Sequence, residues 1–451
     1  MQIVNLSNLQ KRVADIAPLS PVGRVCAVTG HTILVEGFES DVKTGDRLKL
    51  VKENKTHLTG DVIRIDKSVV TMLPDGPLDQ ISLSDRVVSM GPGRIAPCDA
   101  WIGRILDPYG APLDDQPLPQ GDTQLDVYHD PPTPMSRKPL GARLDTGFNI
   151  FNTMLPIVRG QRVGIFSGPG VGKSTLLSSF ARKIEADIVI LVLVGERGRE
   201  IHEYARTVLG EARTKRTIVV ASAADAPSTA RARCPLTAMR IAEWFRDRGS
   251  HVLVIMDSVT RFAEAQREVA IMAGEFPSLR GFPASTPSQI TKLAERAGPG
   301  RVGTGDITAI LSVLVAGSDI NEPVSDMLRG VLDGHILLDQ MLAQRGHFPA
   351  VDLLASVSRA LPDAASEAEN AVITQARSLA SVYSEASPLI SAGLYTKGSD
   401  PLVDQAIAFR GHFMSFCKDT TDGGCDASFD RLLLCLRRCQ GTEITNPGHG
   451  M

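Results

Sequence analysis

One short segment constrains the fold of this chain more than any other, a glycine-rich stretch that follows an apolar run. The stretch is Ser-Gly-Pro-Gly-Val-Gly-Lys-Ser-Thr at 167–175, and the apolar run before it is Val163–Phe166. A loop of this kind turns successive backbone N–H groups towards one anion, and a following helix adds partial positive charge. Residues 174–184 have helical patterning. The sequence therefore predicts a P-loop that binds a nucleoside triphosphate.

The polar residues of this loop have distinct expected roles. Lys173 supplies a cation for the β- and γ-phosphates, and the Ser174 hydroxyl is a candidate Mg²⁺ ligand. The usual motif opens with glycine, whereas this one opens with Ser167, which is small enough to keep the turn but less permissive. The predicted nucleotide-binding residues of the loop are Ser167, Gly168, Pro169, Gly170, Val171, Gly172, Lys173, Ser174 and Thr175.

The 451 residues are enough for about three domains. Residues 1–90 are β-rich, with turn signals spaced as in a small barrel, and the leading segment has helical spacing. That helix either packs on its own barrel or docks a partner. The predicted strands are Val22–Val28, Thr32–Val35, Arg47–Val51 and Asp61–Ile65, and the helical spacing is that of Leu6, Leu9, Val13 and Ile16.

Residues 91–360 begin with a proline-rich stretch, 92–139, which predicts a linker wrapped over the surface of the next domain. Apolar runs then alternate with helical segments, a pattern typical of a parallel sheet covered on both faces. The predicted strands are Val163–Phe166, Ile188–Val194, Ile218–Ser222, Val252–Met256 and Ile307–Ala316. Residues 361–451 lack strand runs and predict a helical domain, with helices over Asp363–Ser381, Pro401–Lys418 and Ser428–Arg438.

Charge and composition favour a soluble cytoplasmic protein. The net charge of -3 argues against a protein dominated by nucleic-acid binding. No apolar run approaches the roughly 18 residues of a membrane span, and 1–20 lacks the pattern of a secretory signal. Four of the seven cysteines, Cys417, Cys425, Cys435 and Cys439, crowd the C-terminus. Their spacing fits no zinc motif, so we expect reduced, mostly buried thiols.

Two apolar runs end in candidate catalytic residues. The run from His251 ends in Asp257, which resembles a Walker B carboxylate that positions Mg²⁺. The run Ile188–Val194 leads to Glu196, a candidate for polarising the attacking water, and to Arg197, which would face the γ-phosphate. The alternative for these two residues is an exposed salt-bridged pair. Arg261 either closes the phosphate site or anchors a loop.

Three segments together resemble the rotary-type ATPase family that includes the catalytic subunits of F-type ATP synthases. They are Ser167–Thr175, Val194–Arg197 and Asp257–Arg261, and the resemblance extends over nearly the whole chain, including Gly103–Asp107 and Leu144–Gly147. The family implies a RecA-like α/β nucleotide domain with a parallel sheet, preceded by a small β-barrel and followed by a helical domain. It also implies ATP as substrate, with Mg²⁺.

Within that family, three further segments resemble the flagellar and type III secretion export ATPases. They are Arg240–Gly249, Ala265–Glu268 and Tyr395–Pro401, and the last is the most discriminating because synthase catalytic subunits lack its Gly-Ser-Asp-Pro sequence. Two departures concern loops rather than the ATPase residues. Gly274–Pro277 reads Gly-Glu-Phe-Pro instead of Gly-Glu-Pro-Pro, and the loop through Ser288 and Gln289 is divergent, which puts contacts to a central stalk or substrate in doubt.

The resemblance implies two more site residues. Phe348 lies in the segment Gly346–Asp352, which matches the one whose aromatic ring stacks on adenine. Arg359 ends Val357–Arg359, which matches the segment of the arginine finger donated to a neighbouring subunit. Together with Lys173 and Glu196 on the same chain, such a finger permits a homohexameric ring with a catalytic site at every interface.

The resemblance also implies a setting for the ring. It would hydrolyse ATP for flagellar-type protein export, in the cytoplasm and peripherally at the inner face of the membrane export apparatus. Its partners would be a stator-like regulator, a central stalk, the membrane export gate and chaperone–substrate complexes. The alternatives are a virulence-type secretion ATPase, a Rho-like RNA translocase and a non-catalytic ring subunit. RNA stacking is poorly supported, because Phe38 is the one aromatic residue in 1–90, and Glu196 argues for catalysis.

Overall fold

The computed structural model describes residues 20–38, 41–114, 116–209, 216–278, 281–315 and 322–440. The chain divides into two compact units. The first unit comprises Met1–Thr133, Ile188–Arg248 and Val254–Arg296, and the second comprises Pro134–Asp187, Gly249–Leu253 and Ala297–Met451. The predicted leading helix lies outside the described residues. The division into 1–90, 91–360 and 361–451 stays a prediction.

Strands and helices have the following bounds. The strands are β1 (Val22–Val28), β2 (Ile33–Glu36), β3 (Asp46–Val51), β4 (His57–Asp66), β5 (Val69–Pro74), β6 (Arg86–Pro92), β7 (Arg94–Ile95), β8 (Ile105–Leu106), β9 (Leu125–Asp126), β10 (Arg162–Ser167), β11 (Ile188–Glu196), β12 (Thr217–Ala223), β13 (His251–Asp257), β14 (Gly298–Pro299), β15 (Asp306–Leu314), β16 (Gly334–Leu338) and β17 (Val351–Ser358). The helices are α1 (Asn149–Asn152), α2 (Lys173–Lys183), α3 (Gly198–Leu209), α4 (Ser228–Asp247), α5 (Val259–Met272), α6 (Ser285–Arg296), α7 (Pro323–Arg329), α8 (Gln340–Gln344), α9 (Glu367–Ser391), α10 (Pro401–Lys418) and α11 (Gly424–Gln440).

The first unit begins with a closed antiparallel barrel in the order β1-β2-β5-β4-β3-β6, which confirms the predicted N-terminal barrel. Side chains alternate along each strand between the barrel interior and the solvent. The inward-facing residues are apolar and fill the interior, while the polar residues face outwards. The interior side chains include Val25, Ile33, Val35, Leu48, Leu50, Val62, Val70, Met72 and Val87. Closure leaves no unpaired strand edge in the barrel.

The rest of the first unit contains β11, β12 and β8 together with Val254–Asp257 of β13, and the order of these strands in the sheet is β13-β11-β12-β8. Its strands β11 and β13 are almost wholly buried, as the uninterrupted apolar runs predict. One element differs from the expectation. Ile105 and Leu106, in the stretch predicted to be only a linker, form an edge strand parallel to Val219 and Val220 of β12. A two-residue strand among prolines carries too little periodicity to be recognised in the sequence.

The second unit contains the strands β17-β16-β10-β15, with β10 pairing in parallel with both β15 and β16. The helix α2 follows β10, and the helices α9, α10 and α11 follow the last strand. The helix α10 has the predicted bounds, while α9 and α11 are longer than expected. Ser366 begins α9 with a capping box, in which Ser366 and Glu369 satisfy each other's backbone N–H groups. The predicted helical C-terminal region is confirmed. In the described part of the chain, no helix has the length and apolar character that crossing a membrane requires.

A buried ion pair joins α4 to α6 in the first unit. Arg296 donates to the two carboxylate oxygens of Glu243 over 2.7 and 3.1 Å, and both side chains are at most 2% exposed. Burial opposes ionisation of Glu243, but the hydrogen bond from His129, the charge of Arg296 and the hydrogen bonds from Arg296 and Arg240 outweigh it and lower its pKa to about 2. The ion pair therefore contributes stability above pH 4.5, the ordinary value, and that contribution is lost as the pH falls towards 2.

We expect Arg296→Met to lower the free energy of unfolding by about 3 kcal/mol, because it leaves the buried Glu243 carboxylate with fewer partners. Urea-induced unfolding measures this loss. The matched control is Arg64→Met, which breaks the exposed Arg64–Asp66 pair (51% and 63% exposed) and should cost no more than about 1 kcal/mol. Equal losses for the two variants would contradict a stabilising role for the buried pair.

Candidate active site

The P-loop connects β10 to α2 in the second unit, as the sequence predicts. Ser167 ends β10, where it lies opposite Leu314 of β15 and Leu338 of β16. Gly170 and Gly172 have φ values of +75° and +85°, a left-handed conformation that glycine adopts without strain. The helix α2 begins at Lys173, directly after Gly172. The strand, loop and helix thus have the geometry that directs backbone N–H groups towards a phosphate.

Phe348 lies against this loop although it is far away in the sequence. A Cβ atom placed on Gly172 would be 3.1 Å from Cδ1 and Cε1 of the Phe348 ring. The ring is 49% exposed, so one part of it packs on the loop while the rest is free to contact another group. The structure therefore places the proposed base-stacking ring beside the P-loop, and its role towards adenine stays a prediction.

Two serines, Ser167 and Ser312, lie in the loop or next to it. The Lys173 ammonium lies 3.4 Å from the Ser312 hydroxyl on β15. Ser312 was not among the predicted site residues, because β15 also contains the polar residues Asp306 and Thr308 and nothing in the strand sequence sets this serine apart. The Ser167 hydroxyl is buried and has no hydrogen-bond partner in the described part of the chain. The serine that replaces the usual glycine therefore fits the loop in space, and its hydroxyl makes no hydrogen bond there.

Glu196 lies at the end of β11 in the first unit, on a backbone that bulges. The register of β11 with β12 shifts between Val194 and Glu196, and Gly195 takes the left-handed φ of +65°. The shift turns Glu196 out of the buried strand and leaves it half-buried. The Gly195 N–H donates to the Ser222 hydroxyl over 3.3 Å, and the Ala224 N–H donates to the Glu196 carbonyl over 3.0 Å.

Asp257 and Arg261 lie at the junction of β13 and α5, also in the first unit. Asp257 ends β13 and is 4% exposed, as expected of a carboxylate at the tip of a buried strand. Ser258 caps α5 by accepting the N–H of Arg261 over 3.4 Å. A Cβ atom placed on Gly195 would lie 3.6 Å from Cβ of Arg261, so Arg261 is next to the residue before Glu196.

The arginines differ in their surroundings. Arg261 pairs with Glu264 over 3.0 Å. Arg197 is 84% exposed, and its guanidinium lies 3.8 Å from the carboxylate of Glu200 in the first turn of α3. Arg359 follows β17 in the second unit and is exposed. Its N–H donates to the Asp333 carbonyl over 2.9 Å, and its guanidinium lies 3.4 Å from the Arg329 carbonyl.

The predicted magnesium ligands are an exposed hydroxyl, that of Ser174, and a buried carboxylate, that of Asp257. Both offer the hard oxygen atoms that Mg²⁺ prefers, and Mg²⁺ usually takes few protein ligands beside phosphate and water. The described residues contain no group of three or more His, Cys, Asp or Glu side chains that could hold a metal ion. The donor chemistry therefore fits Mg²⁺ delivered with a triphosphate better than a metal held by the protein alone.

The C-terminal cysteines are free thiols. Cys417 and Cys439 are buried, whereas Cys425 and Cys435 are half-buried. Burial raises the pKa of the Cys417 thiol, so this side chain stays protonated and packs as a small apolar group.

Comparison with known proteins gives consistent matches along the chain. Residues 147–358 match the model of the ATP synthase alpha/beta family, nucleotide-binding domain, and residues 365–432 match that of the T3SS EscN ATPase C-terminal domain. The chain is 39% identical to the flagellum-specific ATP synthase of Caulobacter vibrioides, over 89% of this chain and 92% of the relative.

Two solved structures resemble the fold over most of its length. The assembled ATPase EscN from the type III secretion system of enteropathogenic E. coli has a TM-score of 0.86 and 33% identity, covering 92% of this chain and all of that one. EscN in complex with its central stalk EscO has a TM-score of 0.83, the same identity and the same coverage.

Proposed function

This chain belongs to the family of flagellum-specific ATP synthases and type III secretion ATPases, and we propose that it hydrolyses ATP in a homohexameric ring to energise flagellar-type protein export. The identity to the flagellum-specific ATP synthase of Caulobacter vibrioides is 39%, and the identity to EscN is 33%. This difference favours the flagellar system over a virulence-type one. Family membership also favours an export ATPase over an RNA translocase or a non-catalytic ring subunit. Phosphoryl transfer then requires positioned phosphates, an oriented water and cations for the developing charge.

The observation that carries the ring proposal is the exposure of Arg359. Its backbone is held by Asp333, yet its guanidinium contacts only one carbonyl oxygen, at 3.4 Å, in the described part of the chain. An exposed arginine with a hydrogen-bonded backbone and a single long side-chain contact is suited to reach a group on another subunit. In a closed ring of identical subunits every interface then receives one such arginine.

The proposed roles follow from chemistry and placement. The P-loop amides and Lys173 bind the phosphates, and Phe348 supports the base. Glu196 accepts a hydrogen bond from the attacking water and orients it. Arg197, Arg261 and the neighbour's Arg359 stabilise the negative charge that develops on the phosphoryl oxygens. Mg²⁺ would be held by Ser174 and Asp257, and when bound it would neutralise phosphate charge.

The setting and the partners are proposals as well. EscN has been solved with its central stalk, and we propose a stalk of the same kind for this ring. A stator-like regulator, the membrane export gate and chaperone–substrate complexes complete the proposed partners, and no nucleic acid is among them. The proposed location is the cytoplasmic face of the membrane export apparatus.

The ATPase rate per subunit, measured over a range of protein concentrations, tests the ring proposal. We expect it to rise steeply with concentration, in parallel with the oligomer measured by light scattering, because an isolated subunit lacks the neighbour's Arg359. A constant rate per subunit across dilutions at which the protein is monomeric would contradict catalysis at subunit interfaces.

A further inference from the structure

Arg231, a further arginine of the first unit, lies beside the segment that contains Glu196. It was not among the site residues that the sequence predicted. It belongs to the first turn of α4, and its side chain is only 16% exposed. Its Nε donates to the Ala226 carbonyl over 3.0 Å, and its Nη2 lies 2.6 Å from Oε2 of Glu268 on α5. A Cβ atom placed on Gly195 would lie 3.5 Å from its Cδ.

These contacts join three segments around the Glu196 backbone. The stem of Arg231 lies along the Gly195 bulge of β11, while its head binds the turn after β12 and the helix α5. The turn after β12 is the same one whose Ala224 N–H binds the Glu196 carbonyl, and it closes through Ala226 N–H to the Ala223 carbonyl over 3.1 Å. The helix α5 starts directly after Asp257 and carries Arg261.

We propose that Arg231, through its pair with Glu268, is a positioning residue that fixes Glu196 relative to the Asp257–Arg261 segment. It needs no contact with ATP for this. The Arg231–Glu268 pair ties the Gly195 bulge and the adjoining turn to α5. The backbone that carries Glu196 is thereby joined to the helix that carries Arg261. This inference rests on the proposed role of Glu196.

The test is the kinetics of Arg231→Met, which keeps the stem beside Gly195 and removes the head. We expect kcat to fall about 10–100-fold, because small displacements of a catalytic group have effects of this size. The KM for ATP should change less than about twofold, since the P-loop is untouched. The affinity for Mg·ADP with aluminium fluoride, a transition-state analogue, should fall with kcat while the affinity for ATP stays constant.

Companion variants separate positioning from general stability. Arg231→Lys keeps the charge but cannot make both contacts, so its kcat should lie between those of Arg231→Met and the parent protein. Glu268→Gln changes a 42% exposed side chain, leaves the fold intact and should also lower kcat. The double variant should be no slower than Arg231→Met alone. The matched control is Arg104→Met, which removes a similarly buried arginine–aspartate pair in the same unit and should leave kcat unchanged.

Two outcomes would overturn the inference. One is a kcat within twofold of the parent for both Arg231→Met and Glu268→Gln. The other is an equal fall in the affinities for ATP and for the transition-state analogue. Glu196→Gln, measured in parallel, separates this failure from failure of the proposed function. If Glu196→Gln abolishes turnover while the Arg231 variants are normal, only the positioning inference is wrong. If Glu196→Gln is itself normal, the role of Glu196 is wrong.

Discussion

Replacing Arg359 by alanine is expected to lower ATP turnover by about 10³–10⁵-fold in the assembled ring while ATP binding is retained. The reason is that an arginine finger stabilises charge that exists only in the transition state, so its loss affects kcat and spares ground-state affinity. Steady-state hydrolysis and binding of a fluorescent ATP analogue measure the two quantities. The control is Arg301→Ala, because Arg301 is also an exposed arginine of the second unit and has no assigned role.

Mixed rings decide whether Arg359 acts on its own subunit or on a neighbour. Subunits carrying Arg359→Ala keep an intact Glu196, and subunits carrying Glu196→Gln keep an intact finger. In a random 1:1 mixture, about a quarter of the interfaces combine an intact Glu196 from one subunit with an intact Arg359 from its neighbour. With ATP supplied below the concentration of sites, so that each interface is measured separately, the mixture should hydrolyse ATP much faster than either variant alone. No recovery from properly mixed rings would contradict action on the neighbour.

Glu196→Gln should lower turnover about 10²–10⁴-fold, the usual contribution of a group that orients or deprotonates the attacking nucleophile. The change keeps the size of the side chain and removes the negative charge that accepts the water proton. ATP affinity should stay within about twofold, because the P-loop and Lys173 are unchanged. Single-turnover phosphate release and equilibrium nucleotide binding measure the two effects.

Glu200→Gln is the matched control for that variant. Glu200 lies in the same segment and faces solvent, where it contacts Arg197 at 3.8 Å. Exposed pairs of this kind contribute little, so its turnover should be normal. If Glu196→Gln also turned over at a near-normal rate, the water-orienting group would have to be a different residue.

Local sequence patterns predicted much of the fold correctly. The P-loop was recognisable because its function depends on residues that are adjacent in the chain, from the end of β10 to the start of α2. The buried strands were recognisable because a strand covered on both faces must be apolar throughout. The exposure of Arg359 could not be predicted in this way, since the exposure of a residue after a strand depends on what packs around it.

The sequence by itself thus determined the kind of loop, the apolar strands, the barrel and the helical C-terminal region. These features depend on the pattern of apolar, polar and glycine residues over short segments, and this pattern can be read from the sequence directly. Only the tertiary structure decided that Phe348 packs on Gly172, that Ser312 lies next to Lys173 and that Arg231 spans the Glu196 bulge and Glu268. Each of these contacts joins residues that are distant in sequence, and the packing of whole strands and helices determines which distant residues meet.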